Sequence, residues 1–369
     1  MKRILPILFA AIFAVGLAPR AFATPAVSAR SAILIEAESG DVLFAKDADE
    51  RLPMASTTKI MTALVAIEEL PLETVVTVPA GAVGVEGSSV YLKTGERLTL
   101  EDLLYALLLA SANDAATAIA LTVSDSIESF AALMNAKASE LGLTGTHFTN
   151  PHGLDDEAHY TTAHDLARLA AVALEKEDFR RIAGTVKHTI PAADGVRVLL
   201  NHNKMLRLYD GAIGVKTGFT KRCGRCLVSA AERDGLRLVA VTLSAPDDWR
   251  DHTAMLDFGF ASVERVTLAK PGDFAIDLPV AGGETETVRV SAESEVSVVL
   301  PKTHGAIKTR VELPEFVFAP VEAGETLGRV VFTLDSQEIG SAFLTAEENV
   351  SARPVKHSLW QQFLSLFTH

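Results

Sequence analysis

The chain is poor in cysteine, in basic charge and in long apolar runs, and each shortage closes off a class of protein. Two cysteines in 369 residues exclude a disulfide scaffold. Beyond the N-terminus there is no run of about 18 apolar residues, which excludes a multi-span membrane protein. Basic residues number 34 against 47 acidic ones, and a net charge of −13 lacks the positive footprint that nucleic-acid binding needs. Glycine-rich phosphate loops, H-E-x-x-H zinc pairs and solenoid-type repeats are also missing. What is present is an ordinary globular composition, 48% apolar and 22% charged, in a length that suits about two domains.

Residues 1–23 have the anatomy of a secretory signal peptide. Lys2 and Arg3 precede an apolar stretch from Ile4 to Ala18, and Ala21-Phe22-Ala23 forms an A-x-A cleavage site. The mature chain is therefore expected outside the cytoplasm, where ATP-using chemistry has no ready supply.

From residue 27 to about 262 the patterns mix. Strands are expected at Ser31–Ala37 and Val42–Ala45 around a turn at Glu38–Asp41. A helix should open near Ser56. Thr99 and Asp102 resemble a capping box ahead of the apolar run Leu103–Ala110. Further helices are expected at Asn113–Val123, Phe130–Leu141 and Thr162–Leu174. Strand signals return at Val186–Ile190 and Val196–Leu200, with Asp194-Gly195 between them. They continue at Ile213–Gly218, Cys226–Ala231 and Leu236–Leu243. Helices held between early and late strands point to an α+β domain whose sheet joins both ends of the segment. Residues 263–352 alternate apolar and polar with frequent Pro and Gly breaks, as a small all-β domain does. In residues 357–369, Leu359, Trp360, Phe363, Leu364 and Phe367 share one helical face, the pattern of a helix lying on a membrane surface.

Three short motifs carry chemistry: Ser56-Thr57-Thr58-Lys59, Ser111-Ala112-Asn113 and Lys216-Thr217-Gly218. A serine hydroxyl is a weak nucleophile and needs a neighbouring base. On a helix, positions i and i+3 share a face, so Lys59 reaches Ser56. A lysine that is buried near a second cation can hold a free amine, and Lys216 would be that cation. Ser111 would relay a proton and Asn113 would offer its amide to a substrate backbone. Lys216-Thr217-Gly218 on an edge strand would pair with an extended peptide, with Lys216 and Thr217 drawing its carboxylate. A second Lys-Thr-Gly at Lys93 lies in a loop before the capping box and is read as incidental.

The order of these motifs is the one that marks β-lactamases and penicillin-binding proteins. Over nearly the whole mature length the chain resembles the low-molecular-mass penicillin-binding proteins that are serine D-alanyl-D-alanine carboxypeptidases. The resemblance rests on Met54–Ala63, Gly87-Ser88-Ser89, Ser111–Ala115, Asn135 and Leu141–Leu154. It extends through Asn201–Leu206, Gly214–Thr220 and Trp249-Arg250-Asp251-His252. It implies a β-lactamase/transpeptidase-like catalytic domain followed by a β-sandwich-like domain. It also implies removal of the terminal D-alanine from peptidoglycan pentapeptides, with no cofactor and with β-lactams as covalent inhibitors. In these roles Ser56 is acylated and Lys59 is the general base. Ser111 and Asn113 assist, Lys216, Thr217 and Gly218 hold the peptide, and the N–H groups of Ser56 and Phe219 form an oxyanion hole. Arg250 is a further candidate for carboxylate contact.

Other features have plainer readings. Cys223-Gly224-Arg225-Cys226 lacks the second pair that a zinc site needs and is read as incidental thiols or a local disulfide. His147, His152, His159 and His164 cluster without a metallopeptidase motif, so no metal is expected. Glu68-Glu69 and Asp155-Asp156 read as surface or turn residues. Two rival functions stand beside the carboxypeptidase. A β-lactamase would need a deacylating E-x-x-x-N segment, which is not found between Asn113 and Lys216. A non-catalytic wall-binding protein would have no use for an activated serine.

Overall fold

A computed structural model describes residues 23–193 and 195–354 of the 369. The signal-peptide anatomy, apart from Ala23, the turn residue Asp194 and the terminal 357–369 pattern lie outside the described residues. Strands β1 (Ser31–Glu36) and β2 (Val42–Lys46) form the expected hairpin. The chain then passes through a 3-10 turn at Ala55–Thr58 into helix α1 (Lys59–Glu69). The α-helix thus begins three residues later than the sequence suggests. Ala55 has φ +47°, and Met54, at the start of the turn, has no side chain able to cap it. A short ladder of β3 (Val75–Thr77) and β4 (Arg97–Thr99) leads to α2 (Leu100–Leu109). At its start Thr99 Oγ1 accepts the Asp102 N–H at 3.1 Å, and the Asp102 carboxylate accepts the Thr99 N–H at 3.2 Å. The capping box is therefore real.

Helices α3 (Asn113–Val123), α4 (Ile127–Glu140), α5 (Ala163–Glu175) and α6 (Glu177–Ala183) follow. The hairpin β5 (Lys187–Ala192) and β6 (Gly195–Leu200) and the single turn α7 (Met205–Leu208) come next. The chain then returns to the main sheet as β7 (Ala212–Thr220), β8 (Gly224–Arg233) and β9 (Leu236–Leu243), and leaves through α8 (Asp248–Ser262).

The main sheet is antiparallel, in the order β2-β1-β9-β8-β7. Its two ends of sequence meet where β1 pairs with β9, Ile33 facing Val241. A continuous apolar strand is what a sheet covered on both sides needs. Along β1, Ile33 and Ile35 join the helical core with Leu64, Leu104 and Leu166. Ala32 and Leu34 point the other way, against Met255 and Leu256 of α8. Burying a Leu-sized side chain this fully is worth roughly 1.5–3 kcal/mol. This three-layer arrangement fixes β7 as the outermost strand, with one long side free to form a cleft wall.

The strands from Val263 to Ala346 form the β domain. Strand β10 (Val263–Ala269) pairs with β13 (Val296–Pro301). A six-stranded sheet runs β14-β16-β17-β12-β11-β15, with β14 at Lys308–Glu312, β16 at Thr326–Leu334 and β17 at Gln337–Ala346. Strands β12 (Thr287–Ala292), β11 (Ile276–Ala281) and β15 (Val317–Phe318) complete it. Val288, Val290, Val330, Phe332 and Leu344 fill its core. Among the described residues no single helix is long and apolar enough to cross a membrane.

Candidate active site

The three motifs meet in one cleft. Ser56, Ser111, Thr217, Gly218 and Phe219 line a cavity of about 550 Å³ between the Ala55–Thr58 turn and the free side of β7. Lys59, on the first residue of α1, is wholly buried. Its Nζ donates to Ser56 Oγ at 3.0 Å, to Asn113 Oδ1 at 2.7 Å and to the His152 carbonyl at 2.7 Å. Burial drives its pKa well below the usual lysine value, and the nearby Lys216 charge lowers it further. The free amine can then turn its lone pair to the Ser56 hydroxyl.

Lys216 is buried as well. Its Nζ donates to Ser111 Oγ at 3.0 Å and to the Thr217 carbonyl at 2.9 Å. Burial pulls its pKa down to about 7. Ser111 occupies the turn between α2 and α3 at φ +60°, a conformation that aims its hydroxyl at Lys216.

Asn113 is buried and opens α3, the helix expected from that residue. Its amide is engaged on both ends, Oδ1 with Lys59 and Nδ2 donating to the Glu86 carbonyl at 2.5 Å. Its arrangement orients the lysine, where the sequence suggested a contact to substrate backbone. Gly87 makes this possible: at φ +94°, a Cβ there would sit 2.7 Å from Asn113 Nδ2. Asp114, which has no role assigned from sequence, pins the segment that follows Gly87, residues 89–92. Its carboxylate accepts Ser89 Oγ at 2.6 Å, the Val90 N–H at 3.2 Å and the Leu92 N–H at 3.0 Å.

Gly218 explains why the third motif ends in glycine. A Cβ on it would lie 3.0 Å from the Met54 carbonyl oxygen and 3.1 Å from the Ser56 nitrogen. The strand therefore runs tight against the Ala55–Thr58 turn, and the next residue, Phe219, carries its backbone along the same wall.

Arg250 is placed elsewhere. Its side chain is 85% exposed, and its nearest charged partner is Asp247 at 4.0 Å. Helical residues advance by about 100° each, so Asp248 and Trp249 at the start of α8 face the cleft while Arg250 turns away. The cations on the cavity wall are Lys204, Arg207 and Arg225. Arg225 is held by Asp248 at 2.6 Å and lies over the Trp249 ring, 5.5 Å from its centroid. No local spacing in the sequence singles it out; the β7–β8 register, which sets it opposite Phe219, does.

Cys223 and Cys226 are buried free thiols, their sulfurs 4.0 Å apart. The four histidines do not converge. His147 binds the Ala158 carbonyl, His164 pairs with Asp49, and His159 meets Thr58. Among the described residues no three His, Cys, Asp or Glu side chains are grouped to hold a metal.

This geometry has relatives. Residues 18–247 match the D-alanyl-D-alanine carboxypeptidase family. The chain belongs to that family. Residues 264–352 match the C-terminal domain of penicillin-binding protein 5. The D-alanyl-D-alanine carboxypeptidase DacF of Bacillus subtilis (strain 168) is 33% identical over 369 aligned residues, covering 95% of each chain. DacC of Escherichia coli (strain K12) is 32% identical, covering 95% of this chain and 92% of its own. Among solved structures, penicillin binding protein 5 from Haemophilus influenzae superposes with a TM-score of 0.70 at 28% identity, covering 89% of this chain and 99% of its own. The carboxypeptidase DacD from Francisella tularensis gives 0.67 at 26%, covering 90% and 95%. The enzyme class is thus a serine-type D-alanyl-D-alanine carboxypeptidase, in a penicillin-binding protein fold with a trailing all-β domain.

The Lys216 pKa has a signed consequence. Between about 7 and the ordinary lysine value of 10.5, the unfolded chain binds a proton at this position that the folded chain does not. Its contribution to stability therefore rises with pH across that window. Denaturant titrations from pH 7 to 10 should show a smaller gain, or a steeper loss, for Lys216→Met than for the parent. Parallel pH dependences would show that Lys216 titrates normally in the fold.

Proposed function

We propose that Ser56 is the nucleophile that removes the terminal D-alanine from peptidoglycan stem pentapeptides. The observation that carries this reading is the 3.0 Å contact between Ser56 Oγ and the buried Lys59 Nζ. Lys59, as free amine, takes the hydroxyl proton while Oγ attacks the penultimate D-alanine carbonyl. The oxyanion is received by the N–H groups of Ser56 and Phe219; one such donor is worth on the order of 10²–10³ in rate in a known protease. Lys216 and Ser111 carry a proton to the leaving D-alanine nitrogen, so the C–N bond breaks as the acyl-enzyme forms. Water then hydrolyses the ester and Ser56 regains its proton. Lys216 and Thr217 also attract the substrate carboxylate, and Gly218 lets the peptide lie close. A β-lactam amide would acylate the same hydroxyl.

The β-lactamase alternative finds little support on the cavity wall. The carboxylate there is Asp248, which is already paired with Arg225. The non-catalytic alternative leaves the depressed Lys59 pKa without a purpose.

The same reading divides the chain into a signal peptide at 1–23, a catalytic domain at 27–262 and a β domain at 263–352. It places the enzyme outside the cytoplasm, in the periplasm or an equivalent extracytoplasmic space, peripheral on the outer face of the cytoplasmic membrane with residues 357–369 touching lipid. The basis is the A-x-A signal anatomy and the one-sided apolar pattern from Leu359 to Phe367.

Two experiments test this. With an acylated Lys-D-Ala-D-Ala peptide, the mature protein should release D-alanine and Ser56→Ala should not; equal release by both would mean another nucleophile. In liposome flotation, the protein with residues 357–369 should rise with lipid and the shortened form should stay behind. Equal flotation would remove the tail from the account.

A further inference from the structure

His159 is buried, 3% exposed, and the chemistry above gives it no task. It stands 101 residues from Thr58 in sequence, yet its Nε2 lies 2.7 Å from Thr58 Oγ1. Its other nitrogen, Nδ1, accepts the Thr149 backbone N–H at 3.0 Å. A ring nitrogen that accepts carries no proton, so in the neutral imidazole the proton is on Nε2. Burial keeps the ring neutral, with its pKa lowered to about 4. Nε2–H therefore donates to Thr58 Oγ1. Thr58 Oγ1 in turn donates to the Ala55 carbonyl oxygen at 2.8 Å. Phe148 meets the imidazole edge to face, with centroids 5.8 Å apart, and limits its rotation.

The end of this chain is the residue before the nucleophile. Ala55 sits at φ +47°, a region that an alanine enters only where its surroundings hold it. Its carbonyl oxygen is gripped by Thr58 on one side and pressed by Gly153 on the other, where a Cβ would come within 1.9 Å. The direction of that carbonyl fixes the plane of the Ala55–Ser56 peptide. It thereby fixes the Ser56 N–H and, through the Ser56 backbone, where Oγ points relative to Lys59.

We propose that His159 is a positioning residue for the nucleophile: through Thr58 it locks the Ala55 carbonyl and so aims the Ser56 N–H and Oγ. The proposal rests on Ser56 being the nucleophile. His159 touches no substrate. Its loss should slow acylation without weakening prior binding, because the cavity wall formed by β7 and Lys204–Arg207 is untouched.

The test uses a fluorescent penicillin and the full-length mature protein. Rates are expressed per reactive site by titrating the acylated fraction, and thermal midpoints are recorded alongside. His159→Leu should lower the acylation rate constant by on the order of 10- to 100-fold, the scale expected for a small displacement of a reacting group. The concentration for half-maximal rate should stay near the parent's. His159→Gln should restore most of the rate, since its carboxamide can accept from Thr149 and donate to Thr58 as the imidazole does. Thr58→Val, which interrupts the relay one step later while leaving the imidazole in place, should match His159→Leu, and the double variant should be no slower than either. Parental rates in folded His159→Leu or Thr58→Val would overturn the proposal. So would a His159→Gln as slow as His159→Leu, which would indicate a packing role alone. Ser56→Ala run in parallel separates the two levels: labelling of that variant would overturn the nucleophile assignment, and this proposal with it.

Discussion

A lysine amine withdrawn from water must find acceptors or lose its charge, and Lys59 meets both conditions. Three acceptors surround its Nζ: Ser56 Oγ from the preceding turn, Asn113 Oδ1 from α3 and the His152 carbonyl from the 150–154 loop. Each arrives from a different part of the chain, so the site exists only when those parts are packed together. Much of the catalytic region can be understood as the apparatus that holds these acceptors in place. Gly87 and Asp114 keep the 86–92 segment against Asn113, and Gly153 presses the loop onto Ala55. Pro151 contributes its carbonyl to Thr62 at 2.6 Å, tying the same loop to α1.

The main sheet supplies the opposing wall. Because β1 and β9 close the sheet centrally, β7 is left at the edge, with a free side toward Ser56. Gly218 allows the approach, and Lys216 from the same strand completes the electrostatics. Burial strips both amines of water, so neither keeps its proton easily, and the charge of Lys216 lowers Lys59 further. The second lysine thus serves the first at a distance while holding Ser111 directly.

Much of this was legible in residue order. Continuous apolar runs mark the main-sheet strands because that sheet is covered on both faces, alternation marks strands of the β domain such as β12, and the 3.6 period marks α5, which buries one broad stripe, while α1, α2 and α3 read as apolar because most of their length is buried on all sides. The S-x-x-K spacing predicts the Ser56–Lys59 contact, even though the turn carrying Ser56 is 3-10 and not α. Other features were hidden, because they depend on contacts made across long sequence separations. Asn113 looks like a free amide in sequence, and only the positions of Glu86 and Lys59 show that it is occupied. Arg250 resembles a carboxylate ligand until the phase of α8 is known. Arg225 looked like the filler of a cysteine pair until the β7–β8 register put it beside Trp249. His159 appeared as one histidine among four, and no local spacing connects it with Thr58.

Activation of Ser56 depends on the protonation state of one amine. An NMR titration of the Lys59 side-chain nitrogen, assigned by comparison with Lys59→Arg, measures that state directly. The account predicts a midpoint well below the 10.5 of an ordinary lysine, moving upward when Lys216 is replaced by Met. A Lys59 that titrates at the ordinary value, or that ignores the loss of Lys216, would contradict the assignment of Lys59 as the base that activates Ser56.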